Sequence, residues 1–232
     1  MRKLELKKSE AVFKKGDLAN GLYLIAQGSV GIYMPTNETK TPDFIIPTNE
    51  LFGEMGIIDN ECNLKFGESV AVIGCGGVGL NLIQAAKMKS AYPVYGVDIN
   101  DKMFDLTQQI GVDVFTCDLE FIPHKLDVIL DTTGVPEVIS KAFDKLAPSG
   151  RLIMVGQPAP GTDLNIFNPL SMFDGQGKSI RASQGGGTIP HEDIPRYIKL
   201  ANRGTLDFNT LHTDTFSFCL LYTSDAADEE DS

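Results

Sequence analysis

Histidine is scarce and cysteine scattered in this 232-residue chain, which holds three of the first and four of the second. Cys62, Cys75, Cys117 and Cys219 form no CxxC pair, and His124, His191 and His212 stand in no HxxxH-type spacing. Neither a zinc site of spaced thiolates and imidazoles nor a disulfide framework is therefore expected. Such thiols read as reduced cysteines of a cytosolic protein. No apolar run approaches the ~18 residues of a membrane span, and the opening MRKLELKKSE has no signal-peptide core. Basic excess is lacking too. Twenty Lys and Arg stand against 31 Asp and Glu, a formal net charge of -11 that leaves nothing to neutralise nucleic-acid phosphates. A cytoplasmic chain without nucleic-acid or membrane partners is expected.

The remainder is globular in composition, 42% hydrophobic and 22% charged, with enough length for one ordinary domain and a smaller unit. Two patterns divide it. Residues 1–62 read as β-rich: GLYLIAQGSVGIYM is two alternating apolar runs around residues 27–29, a predicted hairpin, and DFIIP is a further strand. Over residues 63–218 strands alternate with helices. ESVAVIG, YPVYGVD, VDVFT, LDVILDTTG and RLIMVGQ read as strands, whereas DKMFDLTQQIG and PEVISKAFDKLAPSG read as helices, with Gly111 as a stop and Pro136 as a start. The apolar positions Leu80, Leu82, Ile83, Ala85, Ala86 and Met88 mark another helix, buried along a sheet. This alternation predicts βαβ units and an α/β doubly wound parallel sheet of Rossmann type, behind a small β-rich segment. The tail, residues 219–232, ends in a string of acids without apolar period. It is expected to be disordered, and it resembles a translated sequencing-adapter read-through.

Gly74, Gly76 and Gly79 form G-x-G-x-x-G between an apolar strand and an amphipathic helix. There the first glycine serves a tight turn, the second admits a pyrophosphate against the backbone, and the third lets helix and strand pack closely. The helix N-terminus offers free N–H groups and a positive dipole end to the phosphates. Asp98 closes the next strand nineteen residues after Gly79, where an acid accepts hydrogen bonds from ribose hydroxyls. Its charge repels a 2′-phosphate, and Ile99 follows it in place of an Arg that would welcome one. NAD is expected rather than NADP.

The run KFGESVAVIGCGGVGLNLIQAAKM, continued by VYGVDINDKMFDLTQQIGVD and DVILDTTGVPEVISKAFDKLAPSGRLIMVGQP, resembles the cofactor domain of zinc-type medium-chain alcohol dehydrogenases over about 64–216. The resemblance implies that Gly76, Gly77 and Val78 line the pyrophosphate, and that Asp98 and Lys102 stand by the adenosine ribose. It implies also that Thr132, Gly134, Val155 and Gly156 flank the path from adenosine to nicotinamide. The family's zinc ligands lie largely in another, β-rich domain, and neither its GHE-type sequence nor its Cys cluster occurs here. No catalytic residue and no metal ligand is assigned.

FKKGDLANGLYLIAQGSVGIYM and IPTNELFGEMGIIDN resemble the first part, about residues 10–60, of a cyclic nucleotide-binding domain, a partial jelly roll. In that family the pair matching Gly53 and Glu54 holds the cyclic phosphate and ribose, beside an Arg that is missing here. Residues 60–63 then join the two patterns, either as a natural fusion with a degenerate sensor or as a chimera. The function expected is the NAD-binding portion of an alcohol-dehydrogenase-like oxidoreductase, incomplete here, with a small alcohol or aldehyde as substrate and a homo-oligomeric state. The alternative is a regulatory module that senses cyclic nucleotide and NAD.

Overall fold

A computed structural model describes residues 57–165, 170, 173, 177–183, 185–207 and 210–211, together with four short strands within 23–52. Those strands are β1 (Tyr23–Leu24), β2 (Val30–Ile32), β3 (Phe44–Ile46) and β4 (Leu51–Phe52). Their pairing is nested and antiparallel, β1 with β4 and β2 with β3. The hairpin expected to join β1 directly to β2 is not among the described pairings: β1 is bonded to β4, and β2 to β3. Gly53 and Glu54 lie outside the described residues.

From Val70 the chain builds one six-stranded sheet in the order β10-β9-β8-β5-β6-β7. Its strands are β5 (Val70–Ile73), β6 (Val94–Val97), β7 (Val114–Thr116), β8 (Leu126–Asp131), β9 (Leu146–Met154) and β10 (Ser179–Ala182), every neighbouring pair parallel. The helices are α1 (Gly77–Met88), α2 (Met103–Gln109), α3 (Pro136–Asp144) and α4 (Pro190–Asn202). A strand buried on both faces needs no alternation of apolar and polar residues, and β5 shows why. Val70 and Val72 enter one core with Leu82, Ile83 and Leu206, while Ala71 and Ile73 enter the other with Ile139 and Phe143. The chain winds from β5 outward through β6 to β7, then returns to β8 on the far side of β5. That reversal opens a crevice above the carboxyl ends of β5 and β8, the place where such sheets bind ligands.

Two boundaries differ from the sequence reading. The helix predicted to run to Gly150 stops at Asp144, and β9 begins at Leu146. Pro148 disfavours helical geometry at Ala147 and donates no hydrogen bond itself, so the segment turns extended before it. At the other end of the domain, a π-helical turn at Ile57–Glu61 packs on α1 and on a turn at Gly185–Gly187. Ile57, Ile58 and Cys62 are fully buried in the same core as α1, so the packed unit extends N-terminal of residue 63. No helix among the described residues is long and apolar enough to cross a membrane.

Candidate cofactor site

The loop from β5 to α1 is shaped by two of its glycines. Gly74 has φ +86°, and a Cβ there would lie 2.3 Å from the Thr132 hydroxyl oxygen. A Cβ on Gly79 would lie 1.9 Å from the Gly74 carbonyl oxygen, so only a hydrogen lets the first turn of α1 sit against the loop. Gly76 is different. It caps α1 in an extended conformation, and a Cβ on it would meet nothing within 4 Å. The space in front of its backbone is open.

That space is a cleft of about 230 Å3 lined by Gly76, Gly77, Val78, Gly79, Thr132, Val155 and Gly156. Its floor is the start of α1, which has no side-chain cap and no acidic residue in its first turn. The early amides of the helix have no intrahelical acceptor, and together with the dipole they favour an anion. The opposite wall comes from the ends of β8 and β9. Asp131, fully buried at the end of β8, holds this wall in place. Its Oδ1 accepts from the Thr133 N–H and hydroxyl, its Oδ2 accepts from the Gly134 N–H, and its carbonyl accepts from the amides of Val155 and Gly156. Sequence reasoning passed over Asp131, although a carboxylate ending LDVILD before Thr-Thr-Gly is a side-chain-capped turn signal.

Asp98 directly follows β6, beside the loop. Its Oδ2 accepts the Cys75 N–H at 2.7 Å and its Oδ1 accepts the Asn100 N–H at 2.9 Å. Both oxygens keep lone pairs for further donors. The other residues singled out from the sequence lie around this centre. Gly74 is under the loop, and Gly134 is in the turn after β8 at φ +68°. Ile99, 93% exposed, and Lys102, also exposed, are outside the cleft lining, on the segment leading into α2.

Cysteine chemistry here is quiet. Burial, followed by the nearby Asp98 charge, pushes the Cys75 thiol up to about 12, and burial does the same to Cys62. Thiols so disfavoured as thiolates are poor nucleophiles and poor metal ligands. Among the described residues no three His, Cys, Asp or Glu side chains converge to hold a metal ion, and no titratable side chain lines the cleft.

Residues 77–203, more than half of the chain, match the sequence model of the zinc-binding dehydrogenases. The chain belongs to that family. Residues 3–66 match the model of the cyclic nucleotide-binding domain. Among curated relatives, the chain is 29% identical over 177 residues to alcohol dehydrogenase-like 3 of Arabidopsis thaliana, covering 71% of this chain and 44% of that protein. It is 28% identical over 159 residues to the S-(hydroxymethyl)glutathione dehydrogenase of Saccharomyces cerevisiae, covering 62% and 40%. The crystal structure of benzyl alcohol dehydrogenase from Acinetobacter calcoaceticus superposes with a TM-score of 0.69 at 25% identity, over 77% of this chain and 51% of that one. The chain thus spans about half the length of the curated relatives it matches. The family match begins at Gly77, the first residue of α1, so it takes in every residue of the cleft lining except Gly76.

Proposed function

We propose that the cleft binds NAD(H), and that the chain is the cofactor-holding portion of an alcohol-dehydrogenase-like oxidoreductase that moves hydride between a small alcohol or aldehyde and the nicotinamide. The observation that carries this reading is the unfilled space at Gly76, set at the uncapped start of α1 and flanked by the Asp98 carboxylate. Backbone that would accommodate a side chain, yet is glycine and faces an anion-favouring helix end, fits a pyrophosphate laid against it. The amides of Gly77, Val78 and Gly79 would hold that group, Asp98 the adenosine ribose, and the ends of β8 and β9 the path toward the nicotinamide, with Thr132, Gly134, Val155 and Gly156 along it. Bound NAD supplies the hydride acceptor. The residues of this chain bind it, orient it and exclude water.

The described residues do not fit a resident zinc ion, because no three His, Cys, Asp or Glu side chains among them converge, and Cys62 and Cys75 are buried. No step is therefore assigned to a metal here. Asp98 directs the choice of cofactor, since a 2′-phosphate would be placed against its charge. Titration of cofactor fluorescence tests the reading: NADH should bind the chain more tightly than NADPH, and a folded chain that binds neither would end it.

A second reading rests on the match of residues 3–66, which favours a cyclic nucleotide site built on Gly53 and Glu54. The missing Arg argues against it, because the Glu54 carboxylate would then meet the cyclic phosphate without a balancing cation. Calorimetry with cyclic AMP and cyclic GMP decides. Micromolar binding that disappears in Glu54→Ala establishes this second site.

A further inference from the structure

The Gly74–Cys75 peptide group is gripped at both ends by side chains from the two strands that flank β5. Its N–H, on Cys75, donates to Asp98 Oδ2 at 2.7 Å, from the end of β6. Its C=O, on Gly74, lies 3.0 Å from the Thr132 hydroxyl, from the end of β8. That hydroxyl is also 2.9 Å from the Ile73 carbonyl, but this acceptor already takes the Thr132 N–H at 2.9 Å. The single hydroxyl hydrogen is therefore best used on Gly74, whose carbonyl has no other donor among the described residues. The same carbonyl is the point on which Gly79 bears, with a Cβ position only 1.9 Å away. One peptide plane thus sets both the direction of the loop and the seat of the first turn of α1.

We propose that Thr132 is a positioning residue for the phosphate loop: its hydroxyl locks the Gly74–Cys75 peptide plane opposite Asp98, and so fixes the amides that receive the pyrophosphate. Within the cofactor-binding reading, on which this rests, this role acts through the loop and is separate from the place of Thr132 on the cleft lining. A backbone carbonyl that loses its only donor in a part-buried site turns toward another partner. Rotation of this plane changes ψ of Gly74 and φ of Cys75, and the amides that follow move with it. The adenosine subsite at Asp98 follows β6, so this rotation reaches it only through the Cys75 N–H on Oδ2.

The difference between the two subsites supplies the test. In the full chain, ADP probes the phosphate loop together with the adenosine subsite, while adenosine probes the latter alone. Thr132→Val, nearly isosteric but without a donor, is expected to weaken ADP about tenfold and to leave adenosine within about twofold. Thr132→Ser, which restores the hydroxyl, should recover ADP affinity to within about threefold of wild type. Three results would overturn the proposal: wild-type ADP affinity in Thr132→Val, equal losses of ADP and adenosine, or a loss in Thr132→Ser as large as in Thr132→Val. Should Thr132→Val not fold, Thr132→Cys, with its weak thiol donor, is read by the same ADP-to-adenosine ratio. Failure of the wild-type chain to bind NADH and ADP is a separate outcome, which overturns the cofactor reading itself.

Discussion

Gly76→Ala separates cofactor binding from folding, because the space it fills belongs to the ligand and not to the protein. At φ −72° and ψ −168° the residue occupies extended backbone open to any amino acid. A methyl group there meets no atom within 4 Å, so the folded state loses nothing. The unfolded chain loses freedom, which stabilises the fold by about 0.4–1 kcal/mol. For a domain of this size that raises the melting temperature by roughly 1–4 °C. The pyrophosphate, in contrast, needs the bare backbone. A methyl pressed against a well-seated group costs about 1–3 kcal/mol, which weakens NADH roughly five- to 150-fold. Gly79→Ala gives the opposite pattern: its Cβ would stand 1.9 Å from the Gly74 carbonyl oxygen, and backbone cannot yield as a side chain does. Its cost falls on the fold, at or above the upper end of the same ~1–3 kcal/mol range. Thermal melts paired with NADH fluorescence titrations read both quantities. The reasoning is refuted if Gly76→Ala binds NADH as wild type does, or if it melts several degrees lower.

Four further outcomes follow from named residues. Asp98→Ala should weaken NADH by roughly ten- to a hundredfold while sparing NADPH, since a charged hydrogen-bond acceptor is worth about 1.5–3 kcal/mol; an unchanged NADH-to-NADPH ratio in folded protein removes Asp98 from cofactor selection. Iodoacetamide at pH 8 should alkylate the exposed Cys117 and spare buried Cys62 and Cys75 until the chain unfolds, which peptide mass mapping would show. The buried thiols also predict a pH dependence. Their folded pKa values, about 12, exceed the ordinary 9.0, so folded protein keeps protons that unfolded protein releases. Stability from this source is complete below pH 9 and falls as pH rises toward 12, by about 1.4 kcal/mol per pH unit per thiol, and urea titrations at pH 8 and 10.5 check it. Gln84→Ala should loosen the segment after α4, because the buried Gln84 amide donates to the Asp207 carbonyl at 3.0 Å and accepts its N–H at 2.8 Å. Exposing that pair costs about 2 kcal/mol, and limited proteolysis near residue 207 should speed up; unchanged cleavage would show that Leu206 alone anchors the segment.

Periodicity and turn chemistry, both local, made much of this molecule legible before folding. The uninterrupted apolar run of β5 announces burial on two faces, the glycines at 74, 76 and 79 announce a strand-to-helix turn, and Asp98 announces the end of the next strand. Gly111, at φ +88°, closes the turn after α2 as its type suggests. One edge strand sends no such signal. β10, with Ser179, Arg181 and Ala182 exposed, has no apolar period and is specified by its parallel bonding to β9. The mate of β1 is likewise decided by pairing across the chain rather than by the nearest turn. The same holds for the site. Its floor is one continuous stretch of sequence, but Thr132, Val155 and Gly156 reach it only because β8 and β9 return to the far side of β5. The Thr132 hydroxyl on Gly74 joins residues 58 positions apart, and the Gln84 amide on Asp207 joins residues 123 apart. Local pattern determined which residues form strand, loop and helix, because backbone preferences act over a few neighbours. Which residues face one another across the cleft was decided by strand order, since only the packed sheet brings distant segments within hydrogen-bonding reach.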